Sequence, residues 1–524
     1  MSNWISMRLY MTGRLFFIIS LFFCLVCCLP KHTMAQSELV IFQDSSIKLA
    51  PRSAQRILGS EKLTAMHSFQ RDSSLVYTNL KKNSSKNFQL GIQTDTVFHN
   101  PKRLWTRAGI EWFSFQALPA SFNYFVRKDP YSHISLNNWI KHLNPKAWAW
   151  DDNAFATNQI AHPYHGQLYF NAFRSNNFTF WESSVATVAG SFLWETAGET
   201  QAPSINDLVN TSFGGIILGE MTHRLSQNVL SRPTHSVAER QSKEFLAFLI
   251  NPINGLNRLL DGRWGRVVKG QVIDSSHVQA EFDLGVKRFD AKEGNIIEKG
   301  KNDIYARLKL LYTNGEVDQK KPFDDFYVNL EVGSDDSSFV NSLNVYASLY
   351  GKRIFKKLPG RHLGIVSANY DFIHNEAFFY GGQSVNYNVI SNFTFGKHNK
   401  LTTTIGGGPV VLAAVPDPYL RFGDSRNYNY GPGADLRGSI DISVWKRLKL
   451  GLNYHGGYFV TLSGNDSHYF LHTAAGNASL RLLKNFSLNA SSGYFRLEGN
   501  FKDYPDIDKD YPFVRLSLGY NVLF

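Results

Sequence analysis

The chain has 524 residues, a formal charge of +12, and three cysteines, Cys24, Cys27 and Cys28, all inside the first 35 positions. If that segment is removed, the mature chain has no disulfide, thiolate metal site or cysteine nucleophile. Its loss also removes Arg8, Arg14 and Lys31 and no acid, taking +12 to +9; nucleic acid is not an expected partner of a surplus so thinly spread.

Residues 1–35 have the form of a signal peptide: Arg8 and Arg14 precede an apolar run from Leu15 to Leu29, and Thr33, Met34 and Ala35 offer a small-residue cleavage site. Residues 36–100 are polar, rich in Ser, Lys, Asn and Gln, with no apolar period, and are expected to be a flexible leader.

From 101 to 268 the apolar spacing becomes helical, interrupted by proline and glycine. Ile110 to Val126 is strongly aromatic, and Pro119 should kink or divide a helix there. Trp181, Val185, Val188 and Phe192 make a helical stripe beside the small residues Ser184, Ala186, Ala189, Gly190 and Ser191. Ser204 is placed as an N-cap, Ser236 with Glu239 as a capping box, and Asn251 with Pro252 as a stop before a last helix from Ile253 to Leu260. Glu182, Glu195, Asp207 and Glu220 break the apolar runs, so none is a clean membrane span. The module is expected on the barrel or in its lumen.

From 269 to 524 the period is two. Val278, Ala280, Phe282, Leu284 and Val286 alternate with Gln279, Glu281, Asp283, Gly285 and Lys287, and comparable segments recur to the terminal run Val514–Phe524. The pattern predicts a mainly β protein: an antiparallel transmembrane β-barrel of about 12 strands (10–14), preceded by the α-helical module. An aromatic share of 14% and a mean hydropathy of −0.24 suit a barrel with interfacial girdles and argue against a polytopic helical protein. Glu281, Asp283, Arg307, Lys309, Glu331, Arg437, Asp441, Lys449 and His455 are expected in the lumen, and their mixed signs name no permeant. Gly406, Gly407 and Gly408 are expected to bend a strand or relieve crowding.

The densest polar constellation lies in the helical module, from Asp151 to Glu220. Glu195 and Glu199, four apart, would face one way on a helix and, with His162, His165 or Asp207, would give a mixed nitrogen and oxygen set for a divalent metal. Pro163 between the two histidines disfavours the regular helix of a zinc motif. A catalytic reading pairs Ser183, Ser191 or Ser204 with His162 or His165 and with Glu195, Glu199 or Asp207, although no G-x-S-x-G surrounds these serines. The alternative is mutual satisfaction: Arg174 paired with Glu182 or Asp152, and Gly215 with Gly219 marking a helix crossing.

The stretch from Trp150 to Glu220, with DDNAFATNQIAHPYHGQLYFNAFRS, SFLWETAGE, PSINDL and GGIILGE, followed by NPINGLNRLLDG, resembles an uncharacterised bacterial outer-membrane family of unknown function (DUF3943-like). The resemblance implies an exported envelope protein with a following barrel; it brings no activity, cofactor or partner. The expectation is an outer-membrane barrel of a Gram-negative bacterium, a small-solute or lipid conduit or a structural envelope protein, with the helical module closing or lining the lumen. Outer-membrane lipids and the barrel-assembly machinery, engaging the strand that ends at Phe524, are the expected partners. The rival is a membrane-embedded hydrolase or lipid-modifying enzyme using His162, His165, Glu195, Glu199 and Asp207.

Overall fold

The computed structural model describes residues 102–234, 236–266, 276–292, 295–315, 319–335, 338–396, 398–423 and 425–523. The expected signal peptide, the leader and Phe524 lie outside them. The described residues form two compact units, one of 222–266 and the other of 102–221 with 276–523.

Twelve strands make a closed antiparallel barrel. They are β1 His277–Phe289, β2 Lys301–Thr313, β3 Asp325–Asp335, β4 Ser338–Ile354, β5 Arg361–His374 and β6 Phe379–Phe395, then β7 Asn399–Pro416, β8 Tyr428–Val444, β9 Leu448–Val460, β10 Ser467–Arg481, β11 Phe486–Phe501 and β12 Ile507–Leu523. Each pairs with its sequence neighbour, and β1 pairs with β12 over Gln279 to Phe289, which removes both free edges. The rim holding the start of β1 and the end of β12 is called the terminal rim below; the other is the far rim.

Alternation separates two chemistries across the wall. Leu284, Ile304, Leu436, Ile440, Leu452 and Leu518 are exposed on the outer face. Asp283, Arg307 and Glu331 stand opposite one another across β1 to β3 and are buried in the lumen. All nine predicted lumen residues are buried. The three glycines of β7 are needed for close approach: a Cβ on Gly408 would sit 2.1 Å from the Val385 carbonyl oxygen, and one on Gly407 2.5 Å from that of Asp435.

The helical part of the larger unit begins with α1 Trp105–Ser121. Pro119 lies inside it and does not divide it; the Phe122 amide is shared between the Leu118 and Pro119 carbonyls, and the chain continues as a π-helical turn, Phe122–Arg127. A short α2, Leu136–His142, follows, then α3 His162–Arg174 and α4 Phe180–Ala197. Thr179 and Glu182 cap α4 reciprocally, a box the apolar pattern alone did not mark. Ser204 caps α5, Ile205–Val209, as predicted. A π-helical turn, Asn210–Gly214, joins it to α6, Gly215–Ser231, whose last residues enter the smaller unit.

Small residues set the helix spacing. A Cβ on Gly215 would lie 2.5 Å from the Gly166 Cα, and one on Gly219 2.6 Å from the Phe170 ring, so the predicted G-x-x-x-G crossing is where α6 meets α3. In the smaller unit, Ser236 caps α7 Val237–Ile250, and Asn251 both ends it and caps α8 Pro252–Leu260. There Glu244 is held by Arg240 at 2.8 Å and by Arg258 at 2.7 Å.

Candidate functional site

Two polar groups of the larger unit carry the chemistry: a cluster in the helical module and the lumen itself. The cluster is built on a short parallel bridge, in which the Ala149 amide donates to the Pro203 carbonyl and the Ile205 amide to that of Ala149. The bridge brings Asp151 beside Asn206. Asp151 Oδ1 accepts from Asn206 Nδ2 at 2.6 Å and from Asn158 Nδ2 at 2.8 Å, while Asn206 Oδ1 accepts from the Asp151 amide at 3.1 Å. Asp207 Oδ1 accepts from Asn206 at 2.9 Å and lies 3.5 Å from His162 Nε2. Burial pushes the Asp207 carboxyl well above its ordinary range, and the charges of Asp151 and Glu195 add to the shift.

The predicted catalytic and metal-binding residues are only partly brought together. His162 and His165 both stand at the start of α3, which continues directly from a π-helical turn, Thr157–Ala161, and Pro163 falls just after the junction of the two helical geometries. They diverge from there: His162 meets Asp207, whereas His165 Nε2 lies 3.0 Å from the Phe115 carbonyl with its ring against Tyr169 and Trp194. Glu195 and Glu199 do not share a helix face, because α4 ends at Ala197. Glu195 accepts from the Ser204 amide at 2.8 Å, and Glu199 from the Trp194 indole at 3.1 Å. Burial is also the main cause raising the Glu199 carboxyl. Among the described residues no three His, Cys, Asp or Glu are arranged to hold a metal ion.

None of the three serines completes a triad. Ser183 donates to the Thr179 carbonyl, Ser191 to that of Leu208, and Ser204 is occupied as a cap. The hydroxyl beside His162 is that of Thr211, 3.3 Å from Nδ1, which sequence reasoning missed because it lies in a π-helical turn without a motif. Thr211 is only 3% exposed and is not presented to a substrate. Arg174 pairs with Glu220 at 2.7 Å, not with Glu182 or Asp152; Glu220 comes from α6, which the glycine crossing lays against α3. Glu182 instead takes Arg103 at 3.0 Å.

The side of the wall that the cluster meets corrects the expectation of a module closing or lining the lumen. Asp371 faces the lumen, where Arg437 binds it, so its neighbour Tyr370 and the residue opposite Tyr370, Gln383, face outward. By the same alternation Asp435 faces inward and Tyr430 and Tyr428 outward, with Asn429 between them reaching the lumenal Tyr469 hydroxyl. The module binds these outward groups. Tyr370 donates to the Gln159 carbonyl, Gln383 to Asn210 at 2.9 Å, and Asn158 to the Tyr428 hydroxyl at 2.7 Å. Phe155 packs among Phe372, Phe379 and Tyr428, and Trp150 stacks on Tyr430 with ring centroids 5.4 Å apart. Arg426, in the loop between β7 and β8, donates to the Asp151 carbonyl at 3.2 Å. The module therefore lies against the outside of β5 to β8, since a lumen already filled by its own side chains leaves it no volume.

Within the lumen the charges are paired. Arg307 meets Asp283 at 2.7 Å, Lys309 meets Glu281 at 2.6 Å, Arg515 meets Glu331 at 2.9 Å, and Arg437 bridges Asp371 and Asp435 at 2.5 and 3.0 Å. Beside this network is a cavity of about 140 Å³, lined by Tyr327, Asn329, Asn344, Asn453, Thr473 and Asn477 among others. Towards the far rim the filling becomes apolar: Tyr380, Val415, Phe459, Tyr469, Leu471, Leu497 and Phe501 form one buried cluster. The sequence offered these aromatics as alternating strand residues and could not say that they meet.

Residues 147–253 match the model of the family described as Domain of unknown function (DUF3943). This is the family the motifs pointed to, and the match contains the whole Asp151 to Asp207 cluster. No curated protein matches the sequence. Among solved structures the chain is similar to the KdgM porin (15% identity, 45% of this chain and 98% of that one, TM-score 0.22). It is similar also to the NanC porin (9%, 45% and 98%, 0.26) and to the COG4313 outer membrane channel from Pseudomonas putida F1 (14%, 49% and 100%, 0.26). Likeness that distant lends no activity to this chain.

Proposed function

We propose that the protein is an outer-membrane barrel of a Gram-negative envelope that acts as a gated conduit for a small polar solute and is shut in the arrangement described here. The observation that carries this reading is the sequence of layers along the lumen: paired charges and amides around a cavity of about 140 Å³, then an apolar stopper near the far rim. A solute taken up among Asn329, Asn344, Asn453 and Asn477 would find hydrogen-bond partners of both kinds and no prevailing charge. The volume suits a few waters or one small solute, since drug-sized pockets run from about 300 Å³. The terminal strand, Ile507–Leu523, is the segment offered to the assembly machinery, and a cleaved signal peptide is the export route that fits it.

The test is conductance in planar bilayers. The wild-type chain is expected to give no steady current, and Phe459→Ala combined with Leu497→Ala, which thins the stopper, is expected to open one. A steadily open wild-type pore would overturn the shut state. A correctly folded double variant as silent as an empty bilayer would overturn the conduit.

A further inference from the structure

We propose that the free face of the helical module, α1 with α4, is bathed by the hydrocarbon of the same bilayer that surrounds the barrel. The inference rests on reading the barrel as membrane-spanning. In a water-soluble domain a helix shows its charges outward and turns its apolar stripe to the core. Here the order is reversed. On α4 the apolar stripe Trp181, Val185, Val188 and Phe192 is exposed, Val185 at 70%, while Ser183, Ser184, Thr187 and Ser191 are buried. On α1 and its π-helical turn, Ile110, Phe113, Leu118, Phe122 and Phe125 are exposed. The polar atoms of α1 turn inward instead: Trp112 Nε1 donates to the Ala186 carbonyl at 2.9 Å and Gln116 to that of Gly190 at 2.7 Å.

The wall beneath the module supplies the second observation. Exposed parts of the outer face present Leu, Ile and Val, but under the module it carries, beside Phe372 and Phe379, the Tyr370, Tyr428 and Tyr430 hydroxyls and the Gln383 amide. Left against lipid, those groups would have no hydrogen-bond partners. The module satisfies them with its amides and replaces them, on its free side, with an apolar surface continuous in kind with the rest of the barrel.

On α4 the charges fall at the two ends, and on α1 within its first two turns, where Arg107 lies 3.8 Å from Glu111. No charged residue occurs between Glu111 and Arg127, nor between Glu182 and Glu195. Lys102 and Arg103 stand exposed before α1, and Arg127 and Lys128 after it. Over the uncharged stretch from Trp112 to Val126 a helical rise gives about 21 Å, a length that fits within the ~30 Å of a hydrocarbon core. Among the described residues no helix is long and apolar enough to cross a membrane by itself. That follows from the same geometry, because each helix spends one side on polar partners in the module and wall.

Single cysteines in the full-length chain, with Cys24, Cys27 and Cys28 changed to serine, test this directly. Val185→Cys and Phe113→Cys report on the module, Leu518→Cys on the barrel's outer face, and Lys502→Cys on an exposed loop between β11 and β12. Each is labelled with bimane, and the protein is folded into phosphatidylcholine vesicles. Emission at Val185 and Phe113 is expected to be lost to nitroxide-bearing lipid as fully as at Leu518, and spared by the aqueous iodide that quenches Lys502. Iodide quenching at Val185 and Phe113 matching that at Lys502 would overturn the inference. So would protection from both quenchers, which would mean that another protein or a second copy covers the face. Loss of nitroxide quenching at Leu518 as well would show that the membrane reading of the barrel had failed, a different result.

Discussion

The lumen and the helical module both bury polar groups, but against opposite sides of the same wall. In the lumen, Arg437 sits between Asp371 and Asp435; one residue along and facing outward, Tyr370 is held by the Gln159 carbonyl of the module. Strands β5, β6 and β8 thus carry polar groups on the outside as well, at Tyr370, Gln383, Tyr428 and Tyr430, whereas β9 to β12 carry Leu452, Leu516 and Leu518 there. A barrel wall in lipid needs an apolar outer face, so the stretch with outward hydroxyls and an outward amide requires a cover. The module is therefore a part of the wall in chemical terms, although it precedes the barrel in the chain.

The difference can be broken first from the inside. Arg437→Ala leaves two buried carboxylates without their cation, and loss of one partner of a buried pair costs about 3–5 kcal/mol. The urea midpoint of the refolded protein should fall accordingly; an unchanged midpoint would mean that the lumenal network is not what holds β5 against β8.

From the outside, Gly166→Leu should loosen the module while leaving the barrel closed. A Cβ there would meet the Thr211 carbonyl oxygen at 1.8 Å, which is backbone and cannot swing aside. Overpacking of this kind costs about 1–3 kcal/mol. Limited proteolysis should cut 102–221 faster than in the wild type, with the heat-modifiable gel shift of the barrel retained. Loss of both together would show that the barrel does not close without its cover.

The smallest effect concerns pH. Asp207 and Glu199 have carboxyls raised by burial in the folded chain, so the folded state holds protons that the unfolded state has released. Their contribution to stability must therefore rise as pH falls from the raised values toward the ordinary carboxylate range near pH 4, and be lowest above them. Asp207→Asn should flatten part of that slope in unfolding midpoints taken from pH 8 to pH 5. An identical slope in the variant would assign the dependence to other groups.

Much of this was legible in the chain because its signals are local. The two-residue alternation from Val278 onward specified strands and their faces, and all nine charged or imidazole residues assigned to the lumen are buried. Ser204 and Ser236 cap their helices as expected, where their side chains reach a free amide, while Asn251, expected only as a stop, also caps the helix that follows. The stripe of Trp181, Val185, Val188 and Phe192 was visible too, but not its direction, since periodicity marks an apolar face without saying whether core or lipid receives it. The candidate site was the least legible part. His162 and His165 lie three apart and end up with unrelated partners, and Arg174 found Glu220, a residue 46 positions away.

By itself, then, the sequence determined the elements and which residues each strand turns inward, because these depend on neighbours one to four positions apart. Only the tertiary structure decided that the module covers the outside of β5 to β8, that an apolar plug fills the lumen below the far rim, and that His162, Asp207 and Thr211 meet. Those outcomes depend on which surfaces are left unsatisfied once the strands have paired. A wall with hydroxyls on the wrong side selects its cover only after it exists.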